Sequence, residues 1–575
     1  MEKNFQIGIR IVDDVNIEYT KDFVYRDAYY QILRKLKMKE NIGHAIALVG
    51  LRRTGKTVIL NQLHMNAETY GVKRDEVLHL TLSAYINGKE VTRDQLDGIK
   101  LNGVSEICYP SLEDLESFIK EIRVQKTIKC IFIDEITLCR EFILGSKGFV
   151  DALVDSGIIL IMAGTESASF TLASENDLYT RLILEDISYI PFGEYCRLKK
   201  LPLYTLEEKK RAMDIYISHG NILDDNVVVD DRYLEDALGV NLALSISNAD
   251  ELEFLYAENS PKQLVELIIK YYKLIGESIT TKTVQDAITR ADISRAFKNE
   301  NNRRKANQKD TIPVDKIQQQ QAAIEGANAY FSKYVLDFDK SQIQLENSQL
   351  EKIDELFTKM GLLYNLSMIP EVEVSVNGAV DADDICLIHS LSYNMAKKMI
   401  DEYLSMPKKV SDADAEIVAN VMESTLYGKI LEEIVVLQFI KGLEKQAPLL
   451  KCIKAYGSGK FQAVRKCSKH RMYKYNNKIY FQDDVVKAEI DIVRSFKDSI
   501  ELIEIKKSRI CDQEQVRWLK NPIVENEIRD KISYEKQIKK YVYYLGEPII
   551  DEDVEYFNIV DVLIADYERN FKMYK

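Results

Sequence analysis

Two sets of residues in this 575-residue chain have the types and spacing to do chemistry. The first is "GLRRTGKT", Gly50–Thr57, which fits Gly-x4-Gly-Lys-Ser/Thr at every fixed position. Glycines let a loop turn its backbone N–H groups inward onto phosphate oxygens. Gly50, Leu51, Arg52, Arg53, Thr54 and Gly55 would form that cradle, with Lys56 on the β- and γ-phosphates and the Thr57 hydroxyl on Mg2+. Its partner is "CIFIDEI", an apolar run ending in Asp134 and Glu135. Asp134 is placed to hold the Mg2+ shell, and Glu135 to orient or activate an attacking water. A protein that only bound a nucleotide would have no need of the second acid.

The second set is "AEIDIVRSFKDSIELIEIKKS", residues 488–508, which reads as two short strands joined by a polar turn. In the first strand Ala488, Ile490 and Ile492 alternate with Glu489 and Asp491. In the second, Glu504 stands between Ile503 and Ile505, as in a strand buried on both faces. A carboxylate buried there needs a partner, and Lys506, two residues on, shares its face. Asp491 and Glu504 could hold Mg2+ through their oxygens, with Lys506 orienting or activating a water. Ordinary cross-strand Glu–Lys pairing would leave the same pattern.

The elements that must position these residues follow from the flanking patterns. "HAIALVG" (44–50) is a strand, and "VILNQLHMNAE" a helix behind the glycine loop. "KRDEVLHLTLS" (73–83) is a strand, and "SLEDLESFIKEIRV" (111–124) a helix with Ser111 as N-cap and Asp114 three residues on. Continuous apolar runs at 129–136 and 157–164 suit parallel strands, and the sheet ends near "ISYIPFGEY" (187–195). Helical, polar-faced segments fill about 200–290, and "KNENNRRKANQK" (298–309) reads as an exposed linker. "LEKIDELFTKMGLLYNLSMI" has a winged-helix-like pattern, and a long helix at 428–444 leads into the strand-rich end. The chain thus divides into an N-terminal extension (1–40), a parallel-sheet α/β nucleotide core (41–198), a helical lid (199–297), a linker and winged-helix-like region (298–405), and a C-terminal α/β domain (406–575).

Composition bounds the rest. Hydrophobic content of 46% and charged content of 29% belong to folded globular domains. The longest apolar run, near Ile158–Gly164, is too short for a membrane helix, and "MEKNFQIGIRIVDD" does not read as a secretory signal. Eight scattered cysteines without a CxxC pair read as free thiols in a reducing cytoplasm, and the six histidines show no metal spacing. Net charge is −13, yet residues 445–482 hold ten Lys/Arg and no acid, interleaved with tyrosines. Lys460, Arg465, Lys466, Lys469, Arg471 and Lys474 are the candidate nucleic-acid contacts of that run, with DNA as the favoured partner.

Taken in order, these motifs resemble AAA+-related, STAND-like prokaryotic ATPases whose C-terminal domain has a PD-(D/E)XK, restriction-endonuclease-like fold. The carriers are "GLRRTGKT", "CIFIDEI", "MAGTES", "ISYIPFGEY", "YISHGN", "GKILEE" and "EIDIV…IEIKKS". The resemblance implies a P-loop ATPase core using ATP and Mg2+, and a C-terminal site built from Asp491, Glu504 and Lys506. Glu432, or its neighbour Glu433, matches the helical glutamate of that fold. Arg181 matches an arginine kept before the closing motif: it is either a finger acting in trans within a homo-oligomer, worth about 10³–10⁵ in rate where one is used, or a surface residue. Where the family carries a T-G-S-like run this chain has Ala163-Gly164-Thr165-Glu166, leaving Thr165 as the sensor candidate. The implied protein hydrolyses ATP and binds, and cuts, nucleic acid, with a defence or mobile-element role suggested by analogy. The alternative is an ATP-driven switch whose C-terminal domain binds DNA without cutting it.

Overall fold

The structure, a computed structural model, describes residues 8–50, 53–86, 89–91, 107–139, 142–164 and 181–220 of the first half. In the second half it describes 363–365, 383–385, 412–443, 449–457, 474–481, 484–510, 516–522, 534–551 and 553–572, with isolated residues between these stretches. The expected lid beyond residue 223 and most of the expected winged-helix-like region lie outside the described residues. Among the described residues no helix is long and apolar enough to cross a membrane.

The first sheet holds β1 (Ile9–Ile11), β2 (Ala45–Val49), β3 (Val77–Leu82), β4 (Cys130–Asp134), β5 (Ile159–Ala163) and β6 (Leu182–Asp186), in the order β1-β3-β4-β5-β2-β6. Every pair is parallel except β1 with β3. The stretch before residue 41 therefore contributes a strand to the core instead of standing apart as an extension. "AIALV" and "CIFID" are buried at all five positions, as a strand covered on both faces requires. Helices α1 (Asp27–Met38) and α2 (Lys56–Met65) cover one face, packing Ile32, Ile59 and Leu63 on Leu48 and Phe132. Helices α3 (Leu112–Gln125) and α4 (Phe142–Val154) cover the other with Leu115, Ile119 and Val150. The Ser111–Asp114 box closes the start of α3 as expected: Asp114 N–H donates to Ser111 Oγ at 3.1 Å, and Ser111 N–H to the Asp114 carboxylate at 3.4 Å. Because β5 lies between β2 and β4, the carboxyl ends of these strands open a crevice where a ligand can sit.

Two short helices, α5 (Phe192–Leu198) and α6 (Leu206–His219), lead away from β6. The second sheet is preceded by α7, which begins at Asp412 and not near Gly428, and runs to Leu443. Its strands are β7 (Leu449–Gly457), β8 (Lys474–Phe481), β9 (Asp484–Ser495), β10 (Ser499–Ile505), β11 (Gln537–Tyr544), β12 (Ile549–Ile550) and β13 (Glu555–Asn558), ordered β7-β8-β9-β10-β11-β13-β12. β9 and β10 are the expected hairpin, antiparallel with Ile492 opposite Ile503. Helix α8 (Ile559–Asn570) follows, its N-terminus capped by Asn558.

The helices that leave the first sheet share one core with the C-terminal half. Phe192, Tyr195, Met213 and Tyr216 of α5 and α6 pack with Ile434, Val435 and Phe439 of α7 and with Val560 and Leu563 of α8. Gly193 lies so close to α8 that a Cβ there would stand 2.2 Å from a ring carbon of Tyr567. Gly193→Ala is expected to destabilise the protein by about 1–3 kcal/mol through overpacking. Gly148→Ala, on the exposed side of α4 where a Cβ meets nothing within 4 Å, is expected to be neutral or stabilising by up to about 1 kcal/mol. Thermal melting of both variants checks this, and a Gly193→Ala protein that melts at or above wild type would show that α5 does not seat on α8.

Candidate nucleotide and metal sites

The glycine loop turns from β2 into α2 at the crevice. Arg53 and Gly55 take positive φ, 62° and 93°, and Gly55 precedes the first helical residue, Lys56. Lys56 is buried and its ammonium donates to the Gly50 carbonyl at 2.6 Å, spanning the loop. Thr57 is exposed, and its hydroxyl donates to Asp134 Oδ2 at 2.7 Å, so the two expected Mg2+ ligands already meet. Asp134 Oδ1 accepts the Glu135 N–H at 3.0 Å. Glu135, half-buried, has φ 58°, a conformation that costs a non-glycine residue of order 1–3 kcal/mol. Hard oxygen donors from Thr57 and Asp134, with phosphate and water completing the shell, suit Mg2+. Leu51, Arg52 and Thr165 lie outside the described residues.

Burial, and then the neighbouring Glu135 charge, push the Asp134 carboxyl up to about 6. Protonation of Asp134 thus competes with the metal as pH falls through that value, because the ligand must be ionised. One pH unit below 6, Mg2+·nucleotide affinity is expected to be about tenfold weaker than at neutral pH. Titration of wild type against Asp134→Asn at each pH checks this, since the nucleotide's own protonation is common to both. Equal pH dependence in the two proteins would remove Asp134 from the metal shell. In the free protein the sign for stability is the opposite of the usual carboxylate. The raised pKa favours the fold below the ordinary value of 3.8, and that contribution is lost as pH rises through about 6.

Arg181 does not stand free at an edge. It pairs with Asp151 at 3.1 Å and Asp155 at 3.2 Å, and donates to the Gly43 carbonyl at 3.3 Å. These bonds within its own chain favour the structural member of the two readings.

Beneath the loop lies a polar assembly that no motif announced. The Arg26 side chain, 3% exposed, donates to the carbonyls of Thr54 at 2.6 Å and Ile187 at 3.0 Å, and to Glu194 at 2.9 Å. Glu194 also accepts the Asp27 N–H at 2.9 Å. The Asp27 carboxylate then takes Arg197 at 2.9 Å and the Tyr567 hydroxyl at 2.7 Å. Burial, then Glu194, raise the Asp27 carboxyl to about 6, against the pull of Tyr567 and Arg197. On the C-terminal side Gln438 of α7 accepts the Phe192 N–H at 3.2 Å and donates to the Leu563 carbonyl at 2.7 Å. Thr54, Ile187 and Glu194 stand in quoted motifs, but the side chains that bind them are scattered from residue 26 to 567.

In the second sheet Asp491 and Glu504 lie just beyond the last paired residues of the hairpin, Ile492 and Ile503. Both carboxylates are buried, 7% and 4% exposed, and Leu502, Ile503 and Ile505 are buried around them as expected. Asp491 Oδ2 accepts the Ile505 N–H at 2.7 Å, which fixes the carboxylate against β10. The Lys506 ammonium bonds to Glu504 and stands 3.7 Å from Asp491. Two carboxylates on one side suit Mg2+, which takes one or two protein carboxylates and completes its shell with water and phosphate. Glu432 is half-buried on α7. Among the described residues no three His, Cys, Asp or Glu side chains gather as a metal cage, so Glu432 is not brought into one with Asp491 and Glu504. Lys474 is on β8, whereas Lys460, Arg465, Lys466, Lys469 and Arg471, with the side chains of Lys474 and Glu433, lie outside what is described.

Comparison with known proteins agrees with the nucleotide site. Residues 43–196 match the family described as AAA domain. No curated protein matches the chain. Solved structures that align include Hsp104 from S. cerevisiae in its casein complex (12% identity, 46% of this chain and 39% of that one, TM-score 0.23) and PCH-2 from C. elegans (12%, 45% and 72%, 0.20). The ORC1 protein of Aeropyrum pernix, in complex with DNA, aligns at 12% identity over 68% of this chain and 97% of that one, with TM-score 0.19. The chain spans 39% of the Hsp104 chain, and at these scores the likenesses carry no weight for function. Over residues 43–196, the span that contains the Gly50–Thr57 loop, Asp134 and Glu135, this protein is similar to AAA domains.

Proposed function

We propose that the protein binds and hydrolyses ATP with Mg2+ at the Gly50–Thr57 loop, and that its nucleotide state governs a C-terminal PD-(D/E)XK-type site that cuts nucleic acid, DNA in the first instance. The observation that carries the first activity is the 2.7 Å bond from Thr57 to Asp134 with Glu135 beside it. Thr57 and Asp134 would hold the metal, Lys56 would leave Gly50 for the β/γ-phosphates, and Glu135 would take a proton from the attacking water as the γ-phosphate bond breaks. For the second activity, the support is that the buried carboxylates of Asp491 and Glu504 both lie against Lys506. A bound Mg2+ would acidify a water and steady charge on the phosphate. Lys506 would orient that water, and Asp491 and Glu504 would fix the geometry. The buried bonds running from Thr54 through Arg26, Glu194 and Asp27 to Tyr567 supply a physical link between the two halves. A second reading, the switch with a C-terminal domain that binds without cutting, is favoured by the lack of a third acidic group beside Asp491 and Glu504 among the described residues.

The test is cleavage of labelled single- and double-stranded DNA and RNA with Mg2+ or Mn2+, with and without ATP. Wild type is expected to cut at least one substrate, and Asp491→Ala and Lys506→Ala to lose that activity by about 10² or more. ATP turnover should survive both substitutions and disappear in Lys56→Ala and Glu135→Gln. If no substrate is cut while turnover persists and fails only in the loop variants, the switch reading stands instead.

A further inference from the structure

Where α6 passes the first half of α7, a cleft of about 560 Å³ opens, within the size range of small-ligand sites. Four cations line it: Lys210 and Arg211 from α6, Lys397, and Lys507 from the end of β10. Two carboxylates, Asp214 and Glu423, are present and already engaged. Asp214 takes Lys210 at 2.5 Å and the Tyr427 hydroxyl at 2.9 Å, and Glu423 accepts the Tyr393 hydroxyl at 3.2 Å. The cleft therefore has positive charge in excess, beside two aromatic faces. Lys210 lies 5.8 Å from the Tyr427 ring centre and Lys397 6.0 Å from that of Tyr393.

Lys507 gives the cleft its chemistry. Successive residues of an extended chain point to opposite sides, and the two neighbouring lysines divide accordingly. Lys506 goes to Asp491 and Glu504, while Lys507 goes to the carbonyl and hydroxyl of Ser424 on α7. Burial pulls the Lys507 ammonium down to about 8, so holding its charge costs free energy that an anion in the cleft would offset.

We propose that this cleft is a second nucleotide-phosphate site, in which Lys507, Arg211 and Lys397 hold a phosphate group and the Tyr393 and Tyr427 rings flank the attached nucleoside. It shares no side chain with the Gly50–Thr57 loop or with Asp491, Glu504 and Lys506, and it stands whether or not those sites act as described. Cations with interleaved aromatic faces suit such a ligand either as a free nucleotide or as one unit of a single strand.

The experiment uses the full-length chain carrying Lys56→Ala, so that the loop lacks its phosphate-binding ammonium, with EDTA present to keep both metal sites empty. Fluorescently labelled AMP, labelled ADP and a labelled hexathymidylate are titrated separately and followed by anisotropy. At least one probe is expected to bind, with affinity reduced about tenfold or more by Lys507→Met, the loss of one charge-assisted phosphate contact. Arg211→Gln, on an exposed side chain, is expected to weaken the same probe. Binding by the mononucleotides alone identifies a free nucleotide as the ligand, and binding by the oligonucleotide alone identifies a strand. The proposal is overturned if no probe binds, or if every probe that binds is indifferent to Lys507→Met. Should Lys507→Met fail to fold, as read from its melting curve, Arg211→Gln decides in its place.

Discussion

The guanidinium of Arg26 is the contact on which the rest of the molecule depends. Taking an arginine out of water is costly, and the cost is offset only when its donors are matched. Here they meet the carbonyls of Thr54 and Ile187 and the carboxylate of Glu194. Thr54 is in the phosphate loop, Ile187 follows the edge strand of the nucleotide sheet, and Glu194 opens the first helix leading out of it. One side chain thus fixes the floor of the nucleotide site and the exit of the chain together. Asp27, next in sequence, continues the assembly to Tyr567, so the last helix of the chain is tied to the same point. Such networks are stiff because breaking any one bond strands a buried charge.

The two acid sites handle buried charge differently. Asp134 has a hydroxyl and a backbone N–H for company, and burial raises its carboxyl to about 6. Asp491 has the Ile505 N–H at 2.7 Å and the Lys506 ammonium at 3.7 Å. Asp134 is therefore a carboxylate that burial makes costly to ionise, whereas Asp491 is held by its partner strand and a neighbouring cation.

What was legible in the sequence was what local pattern encodes. The unbroken apolar runs "AIALV" and "CIFID" marked central parallel strands, Ser111 with Asp114 marked a helix start, and the two short strand patterns at 488–505 marked the hairpin, with Glu504 and Lys506 on one face. These depend on neighbours two to four residues away. The Arg26–Glu194–Asp27–Tyr567 assembly joins residues far apart in the chain, none of which stands in a periodic pattern, so no spacing rule could find it. The early start of α7 was missed for a related reason. "DADAEIVANVMESTLY" is polar at its N-terminal end, and the residues it is described as burying in the core, Ala415 and Ala419, are small, so tertiary packing weighs more there than local pattern.

Coupling between the nucleotide loop and the C-terminal half through the Arg26 assembly is the central claim, and amide hydrogen exchange tests it most directly. Exchange is followed in the segment 559–570 of the full-length protein, free and saturated with Mg2+ and a non-hydrolysable ATP analogue, in wild type and in Tyr567→Phe. Nucleotide is expected to change protection in this last helix of wild type, and the change is expected to shrink when the Tyr567 hydroxyl is absent. Protection that changes around Gly50–Thr57 alone, with 559–570 exchanging identically in both states, would contradict it.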